Sequence, residues 1–517
     1  MAHQVVAAEI ELFLAQTEDR YLRTVYINPT FSVNGDGTTW TQAATLGGPG
    51  ACNAWGTGTY AGTFDATHFW RDQTRYLQAA ETQVNNVVVY EVQSAPMVGI
   101  LLGTYDPATG AQIKDNTRHA RVWAASGRAM QLATASTKRQ NIVVDNMDCR
   151  ALDRTTSSSH GIFATAPAID FYAGITFIRC VADGFAAISV LGKDYRFLDC
   201  CWNGYSDGCS AQSVSVQALG NRLFAPADFL HIQDTNYDPL TIPIVGSFTA
   251  ELMRIEYNDF RLPVPTEKQC IYIYCGAGGT NFASPTGPVT IRWNKVSNAN
   301  QAIYSALDNT EIAFNLIDRA WNHNDPDGSG AGDPRGITIV ANNGYVHDNL
   351  FTNSPFASGI TFTSTAGTHR VHRNTFDGVE RGVQATSGTW TLDWRDNVVV
   401  RSPQTLQPDT DCLYVKTVST VTLNASGNLY YGPADPANAF FVASTYKNFA
   451  AYKSANEPTA DFAAPSYDTT YHPAISGNLA FAGSTGGGFD LAGMAREYPT
   501  SRGCYETVRD RRSRTLP

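Results

Sequence analysis

The sequence predicts an all-β chain wound as a single-stranded right-handed parallel β-helix, a solenoid of about ten or more coils with an N-terminal cap and inserted loops. Three observations carry that expectation. A short strand ending in Asn recurs along residues 253–428, and a second, alternating strand follows each copy. The composition fits as well: of 517 residues 43% are hydrophobic and only 16% charged, with 43 Gly, a balance that suits strands and tight turns better than long helices.

Along the chain, residues 1–24 come first as an N-terminal cap or attachment segment. The run VVAAEIELFLAQTEDRYL has helix-compatible spacing, and a stack of coils needs its open end covered. Residues 25–135 are expected to hold an opening strand and the first coils with loops, residues 136–435 the central coils with an Asn/Cys ladder, and residues 436–517 the closing segment.

The ladder is read from MRIEYN, TIRWN, EIAFN, YVHDN, RVHRN, DWRDN and NASGN, which end at Asn258, Asn294, Asn315, Asn349, Asn374, Asn397 and Asn428. Their separations are 36, 21, 34, 25, 23 and 31 residues, so the shortest look like a bare coil and the rest like coils with insertions. Upstream, Cys149, Cys180 and Cys200 take the same slot. Asn suits a sharp turn because it tolerates the left-handed backbone, and its amide can bond the Asn one coil on. The second strands, HGIFAT, AAISV, QCIYIY, QAIYSA, RGITIV, SGITFT, RGVQAT and DCLYVK, alternate apolar and polar residues around one dry interior.

Charge and cysteine content limit the function classes. A net charge of −10 gives no reason to expect nucleic acid or an anionic membrane as partner. No run of about 18 apolar residues is present to span a bilayer, and the N-terminus shows no signal peptide. Ten cysteines without a paired C-x-x-C spacing do not form a zinc signature, and free thiols are expected. No heptads impose a coiled-coil trimer.

With the coils laid out, the chain resembles the pectate-lyase-like superfamily of right-handed parallel β-helix proteins, which includes polysaccharide lyases, glycoside hydrolases and phage tailspikes. The opening VYINPTFSVNGDGTTWTQAA (25–44) and the closing DLAGMAREYPTSRGCYE (490–506) are similar to that group's terminal segments, with Cys504 where Ala is usual. The resemblance covers residues 25 to 506 and implies a fold, not a named reaction. It implies a polysaccharide as substrate. It also implies, for the tailspike type, a homotrimer on a virion tail or another extracellular setting, with the N-terminus as the attachment segment.

In the resembling family the strands after the Asn turn and its short third strand form the sheet on which sugars bind. The outward residues there are expected to be Phe163, Ser189, His231, Tyr272, Tyr304, Thr338, Thr361, Gln384 and Tyr414, with Gln233 and Tyr274 alongside. His231 lies in PADFLHIQD (226–234). From Cys200 to Asn258 the chain advances 58 residues, so NGYSDGCSAQSV and TNYDPLTIPIVGS are expected to bulge as loops walling a cleft beside His231. Aromatic faces and planar amides suit the apolar patches and hydroxyl edges of sugar rings.

Two reactions remain open. Elimination on a uronic acid needs a base, an acid and a cation, which His231, Tyr272 or Tyr304, and Arg254, Arg261 or Lys268 can supply. Hydrolysis needs two carboxyl groups, about 5–5.5 Å apart for retention or about 6.5–9.5 Å for inversion, and Asp228, Asp234, Glu256, Asp259, Asp207 and Asp308 are available. The expected catalytic set is therefore Asp228, His231, Asp234, Glu256 and Tyr272; the expected substrate-binding set is Gln233, Arg254, Arg261, Lys268, Tyr274, Tyr304 and Trp321. The bland alternatives are an outward surface histidine at His231, a turn cap at Asp228, a surface ion pair between Glu256 and Arg292, and a solvated face at His347 and His372. No cofactor is expected. NDPDGSG (324–330) resembles a calcium loop through Asp325 and Asp327 but lacks the twelve-residue spacing and terminal Glu, and turn chemistry explains it equally. A secreted bacterial lyase and a non-catalytic glycan-binding or adhesive solenoid stand as alternative functions.

Overall fold

The computed structural model describes residues 2–18, 23–27, 68–72, 87–89, 100–104, 120–124, 127–132, 139–140, 142–164, 172–223, 238–244, 250–262, 267–275, 285–320, 334–363, 366–401, 414–432, 438–467, 471 and 502–504. Among these the chain is all-β apart from helices α1 (Ala2–Glu18) and α2 (Phe449–Ala455). The strand pairs are parallel, except for a small antiparallel pair at Phe440–Val442 and Thr445–Lys447. The chain divides into two compact units, Met1–Phe260 and Arg261–Pro517.

In the first unit, the strand Ile175–Ile178 pairs in register with residues 195–198, and these with residues 216–219 and then 253–256. Every second position points inward. Phe177, Phe197, Ala218 and Ile255 thus fall in one row and are fully buried, with the rings of Phe177 and Phe197 stacked at 5.6 Å. A second ladder joins residues 160–164, 186–190, 207–211 and 238–241.

Each turn at the end of the first ladder places one residue in the left-handed region: Asn146 (φ 56), Arg179 (φ 51), Asp199 (φ 51) and Gly220 (φ 69). The slot after it holds Met147, Cys180, Cys200 and Asn221. Cys149, expected there, sits two residues further on, buried in register with Ala182. Asn221 was not foreseen, and it supplies the missing turn between Cys200 and Asn258. The segment NGYSDGCSAQSV is accordingly part of the strand Cys201–Leu219 rather than a loop, and TNYDPLTIPIVGS contains the strand Asp238–Ile244. The Cys slots are explained by function in the turn: the Cys180 thiol donates to Val144 O (3.3 Å) and that of Cys200 to Phe177 O (3.4 Å), as the Asn221 amide donates to Phe197 O (2.9 Å). A small donor is what the position needs. Eight cysteines among the described residues are free thiols.

Helix α1 covers the outer face of these strands. Val6, Ile10 and Leu14, spaced four apart and so on one side of the helix, are buried against Val143, Ile178, Leu198 and Leu219. The turn beneath must be glycine twice over: Gly220 has a positive φ, and a Cβ there would fall 2.9 Å from Val6 Cγ1. At the edge of the contact Arg254 donates to both Glu9 oxygens (2.8 and 2.7 Å) and to Glu256 (2.9 Å).

The second unit carries the long asparagine ladder. The Oδ1 of Asn315 accepts from Asn294 N and Nδ2 (3.0 and 2.9 Å), and the same two bonds recur from Asn315 to Asn349, Asn349 to Asn374, Asn374 to Asn397 and Asn397 to Asn428. All six are buried to 1% exposure or less. The conformational reason expected for Asn is corrected here. The left-handed residue is the one before it: Trp293, Phe314, Asp348, Arg373, Asp396 and Gly427. That conformation costs a non-glycine residue about 1–2 kcal/mol. Neighbouring turns offset it by pairing side chains, with Trp293 stacked on Phe314 at 4.2 Å and Arg373 donating to Asp348 at 3.0 Å. Asn is needed for its amide, which satisfies two buried donors per rung.

The strands after the ladder bury Ile271, Ile303, Ile337, Ile360, Val383 and Val415 in one inward row. Their small leading residue has a steric cause: a Cβ on Gly336 would lie 2.6 Å from the Phe351 ring.

Candidate functional site

In the second unit the outward row next to those buried aliphatics reads Tyr272, Tyr304, Thr338, Thr361, Gln384 and Lys416. Five of the six are the residues expected from sequence. Tyr414 is not in the row: it is fully buried with its ring against Phe440 and Tyr430, at 5.2 and 5.4 Å. Lys416, two residues on, takes its place because the strand starts later than the alternation suggested.

Tyr272, Tyr274 and Tyr304 form a continuous, partly exposed aromatic surface. Tyr272 stacks on Tyr274 at 4.7 Å and meets Tyr304 edge-on at 4.9 Å. Burial, aided by Cys275 and opposed by Arg335, raises the Tyr304 hydroxyl above the usual phenol range, so it stays a neutral donor and acceptor. Beside this row runs a polar one, Gln269, Gln301, Arg335, Ser358 and Arg381. Ser358 donates to Gln384 (3.0 Å), and Arg381 Nη1 donates to both (3.3 Å each). Thr338, Thr361, Ser358 and Arg381 are buried, so the ring faces are bordered by the half-buried Gln269, Gln301, Arg335 and Gln384, whose amides and guanidinium group are contacts a sugar chain can use.

In the first unit the corresponding row is Phe163, Ser189, Ser210 and Thr241. Ser210 and Thr241 follow Ser189 in it because residues 201–219 form a full strand; His231 is the residue expected after Ser189. Asp228, His231, Gln233 and Asp234 lie outside the described residues, as do Trp321, Asp325 and Asp327. At the start of the same strands Asp207 and Asp238 stand side by side in register. Their strands are roughly 4.8 Å apart, both side chains are partly buried, and Ser206 Oγ donates to Asp207 Oδ2 (3.4 Å). Asp207 was among the carboxylates available from sequence. Asp238 was missed, and the signal that finds it is Asn221, which sets the frame.

The remaining predicted residues are placed elsewhere. Glu256 is 6% exposed and, with Arg254, faces helix α1. Arg261 is exposed, while Lys268 is partly buried and its carbonyl accepts from Gln301 N (3.3 Å). Asp308 Oδ1 accepts from Asn342 N (2.8 Å) and so holds a turn. Asp259 pairs through its backbone with the Arg222 strand.

The face expected to be solvated at His347 and His372 is instead a buried ionic network. His347 and His372 are 6% and 8% exposed. His347 lies between Asp348 (2.7 Å) and Glu311 (3.0 Å), Arg292 donates to Glu311 (2.6 Å), and His372 meets Asp393 (3.1 Å). Arg292 therefore pairs with Glu311, and Glu256 with Arg254. Burial pushes the Glu311 carboxyl up, but the His347 bond and Arg292 together outweigh it and hold it below the usual range. Burial lowers His372 despite Asp393. Tyr345, stacked on His347 at 4.1 Å, covers the pair. Periodicity put these side chains outward correctly; their burial comes from neighbours on adjoining strands.

Among the described residues no group of three or more His, Cys, Asp and Glu side chains is gathered to hold a metal, and no helix is long and apolar enough to cross a membrane. Compared with known families and curated proteins, the chain matches no family model and no curated sequence.

Proposed function

We propose that the chain is a right-handed parallel β-helix of the pectate-lyase-like type, and that it binds and depolymerises a polysaccharide as an endo-acting hydrolase or lyase. Parallel strands and asparagine bonds recurring at intervals of 21 to 34 residues in the second unit support the winding. The observation that carries the function is the aromatic surface of Tyr272, Tyr274 and Tyr304 with the half-buried Gln269, Gln301 and Arg335 beside it. Aromatic platforms beside planar hydrogen-bonding groups match a chain of sugar rings better than an apolar small molecule. The virion tailspike setting, with a host surface glycan as receptor and three chains per spike, rests on the resemblance of the terminal segments. A secreted bacterial lyase is the alternative setting.

Of the two cleavage routes, hydrolysis has a specific support in the register of Asp207 with Asp238, which places two carboxyl-bearing residues on adjacent strands, where hydrolysis needs a pair of carboxyl groups. A non-catalytic binder would use the tyrosine surface without that pair. The test is incubation with polygalacturonate, alginate and purified bacterial capsular and O-antigen polysaccharides, read by new reducing ends and by absorbance of unsaturated uronates. Reducing ends without unsaturation support hydrolysis, and unsaturation supports elimination. Retention of a polysaccharide without either product supports the binder, and neither binding nor cleavage across the panel rejects the reading.

A further inference from the structure

The asparagine ladder of the second unit ends on a carboxyl group. Glu457 Oε1 accepts from Asn428 N (2.7 Å) and Asn428 Nδ2 (2.8 Å), the two bonds that each Asn receives from the rung before it. Its other oxygen meets the hydroxyls of Tyr430 (2.9 Å) and Tyr452 (3.0 Å), which are 3.2 Å from each other. Trp394 Nε1 donates to Tyr430 in turn (2.9 Å). Glu457, Tyr430, Tyr452 and Trp394 are all fully buried.

This arrangement lacks what a buried carboxylate ordinarily has. Among the described residues no Lys, Arg or His forms an ion pair with Glu457. Lys453, which is partly exposed, and Arg502, which is buried, each pair with Asp461 instead. The titratable groups facing Glu457 are the two tyrosines, both held neutral chiefly by burial. A neutral carboxyl group fits every contact. Its carbonyl oxygen takes the two ladder bonds as an amide oxygen would, and its O–H donates to a tyrosine hydroxyl, which is free to rotate.

We propose that Glu457 is a proton-dependent terminator of the ladder: protonated, it acts as the last amide-like rung and holds α2 and its flanking turn closed; ionised, it loosens that closure. The proton bound or released is exchanged with water at Oε2, and no other group need change charge.

The sign follows from the direction of the shift. Burial raises the Glu457 carboxyl to about 7, against the lowering effect of the Asn428, Tyr430 and Tyr452 bonds. A raised carboxyl means the folded state binds the proton more tightly than the unfolded one. The stabilisation is complete below the ordinary glutamate range and is lost as pH rises to about neutral.

The experiment is hydrogen exchange of the full chain at about pH 5.5 and about pH 8.5, corrected for intrinsic exchange, comparing the wild type with Glu457→Gln. Gln offers the same carbonyl acceptor and cannot ionise. The wild type should lose protection at Phe449–Ala455 and around Asn428 at the higher pH by roughly tenfold or more, while E457Q keeps one level at both. Wild-type protection that is the same at both pH values overturns the proposal, as does an equal pH response in E457Q. Should E457Q fail to fold, the wild-type comparison decides alone, with Asn374→Ala as a control whose loss of protection does not vary with pH.

Discussion

Asn374 Oδ1 accepts both the backbone N–H and the side-chain Nδ2–H of Asn349, each at 3.0 Å, in a position with no exposure to solvent. Asn374→Ala removes the acceptor and leaves the Asn349 backbone N–H buried without it, at about 1–3 kcal/mol, whereas Asn349 Nδ2 keeps the carbonyls of Ile312 (2.9 Å) and His347 (3.0 Å). We expect a matching loss in chemical denaturation, larger than for Asn→Ala at any exposed turn. An unchanged midpoint would mean that the ladder contributes nothing.

The aromatic surface yields a separation of effects. Tyr272→Ala and Tyr304→Ala should weaken glycan binding by roughly tenfold each, from about 1–2 kcal/mol of lost ring contact. Tyr414→Ala should instead destabilise the fold by about 3–5 kcal/mol through its buried cavity. Affinity electrophoresis and thermal melting distinguish the two outcomes.

For cleavage, Asp207→Asn and Asp238→Asn are expected to reduce product formation by about 10²-fold or more each. Binding and the fold should persist. Loss of both binding and stability would assign the pair a structural role.

Acid should loosen the other outer face. Glu311 is held below the usual carboxylate range, so its contribution is present above the ordinary glutamate pKa and disappears as pH falls through the lowered one. His372 is lowered by burial, so its neutral form is favoured in the fold and stability is lost as pH falls below the usual histidine range. Glu311→Gln should therefore flatten part of the acid limb of a stability profile, whereas Glu457→Gln acts on the neutral limb.

Much of the architecture was readable in the residues, and the failures have physical reasons. The inward rows and the asparagines from Asn258 to Asn428 are visible because burial enforces a strict alternation and, in the second unit, each amide bonds the next along the ladder. Asn221 is hard to read from sequence because the strand before it, Cys201–Leu219, is rich in Ser and Gly and looks like a loop. Without it the sequence shows neither Ser210 nor Thr241 in the outward row. Glu457 was invisible for a different reason: the last rung is carried by a carboxyl group beyond α2, outside the strand pattern. His347 and His372 were placed on the right face, but lateral packing by Tyr345 and the carboxylates cannot be read from a single strand.

The central claim is that the tyrosine surface holds a glycan. Its most direct test is a crystal structure of the protein with an oligosaccharide prepared from whichever polysaccharide of the panel it binds. The account predicts sugar rings against Tyr272 and Tyr304, with hydroxyls bonded to Gln384 or Arg335. Sugar bound at another face, with Tyr272 and Tyr304 left bare, would contradict it.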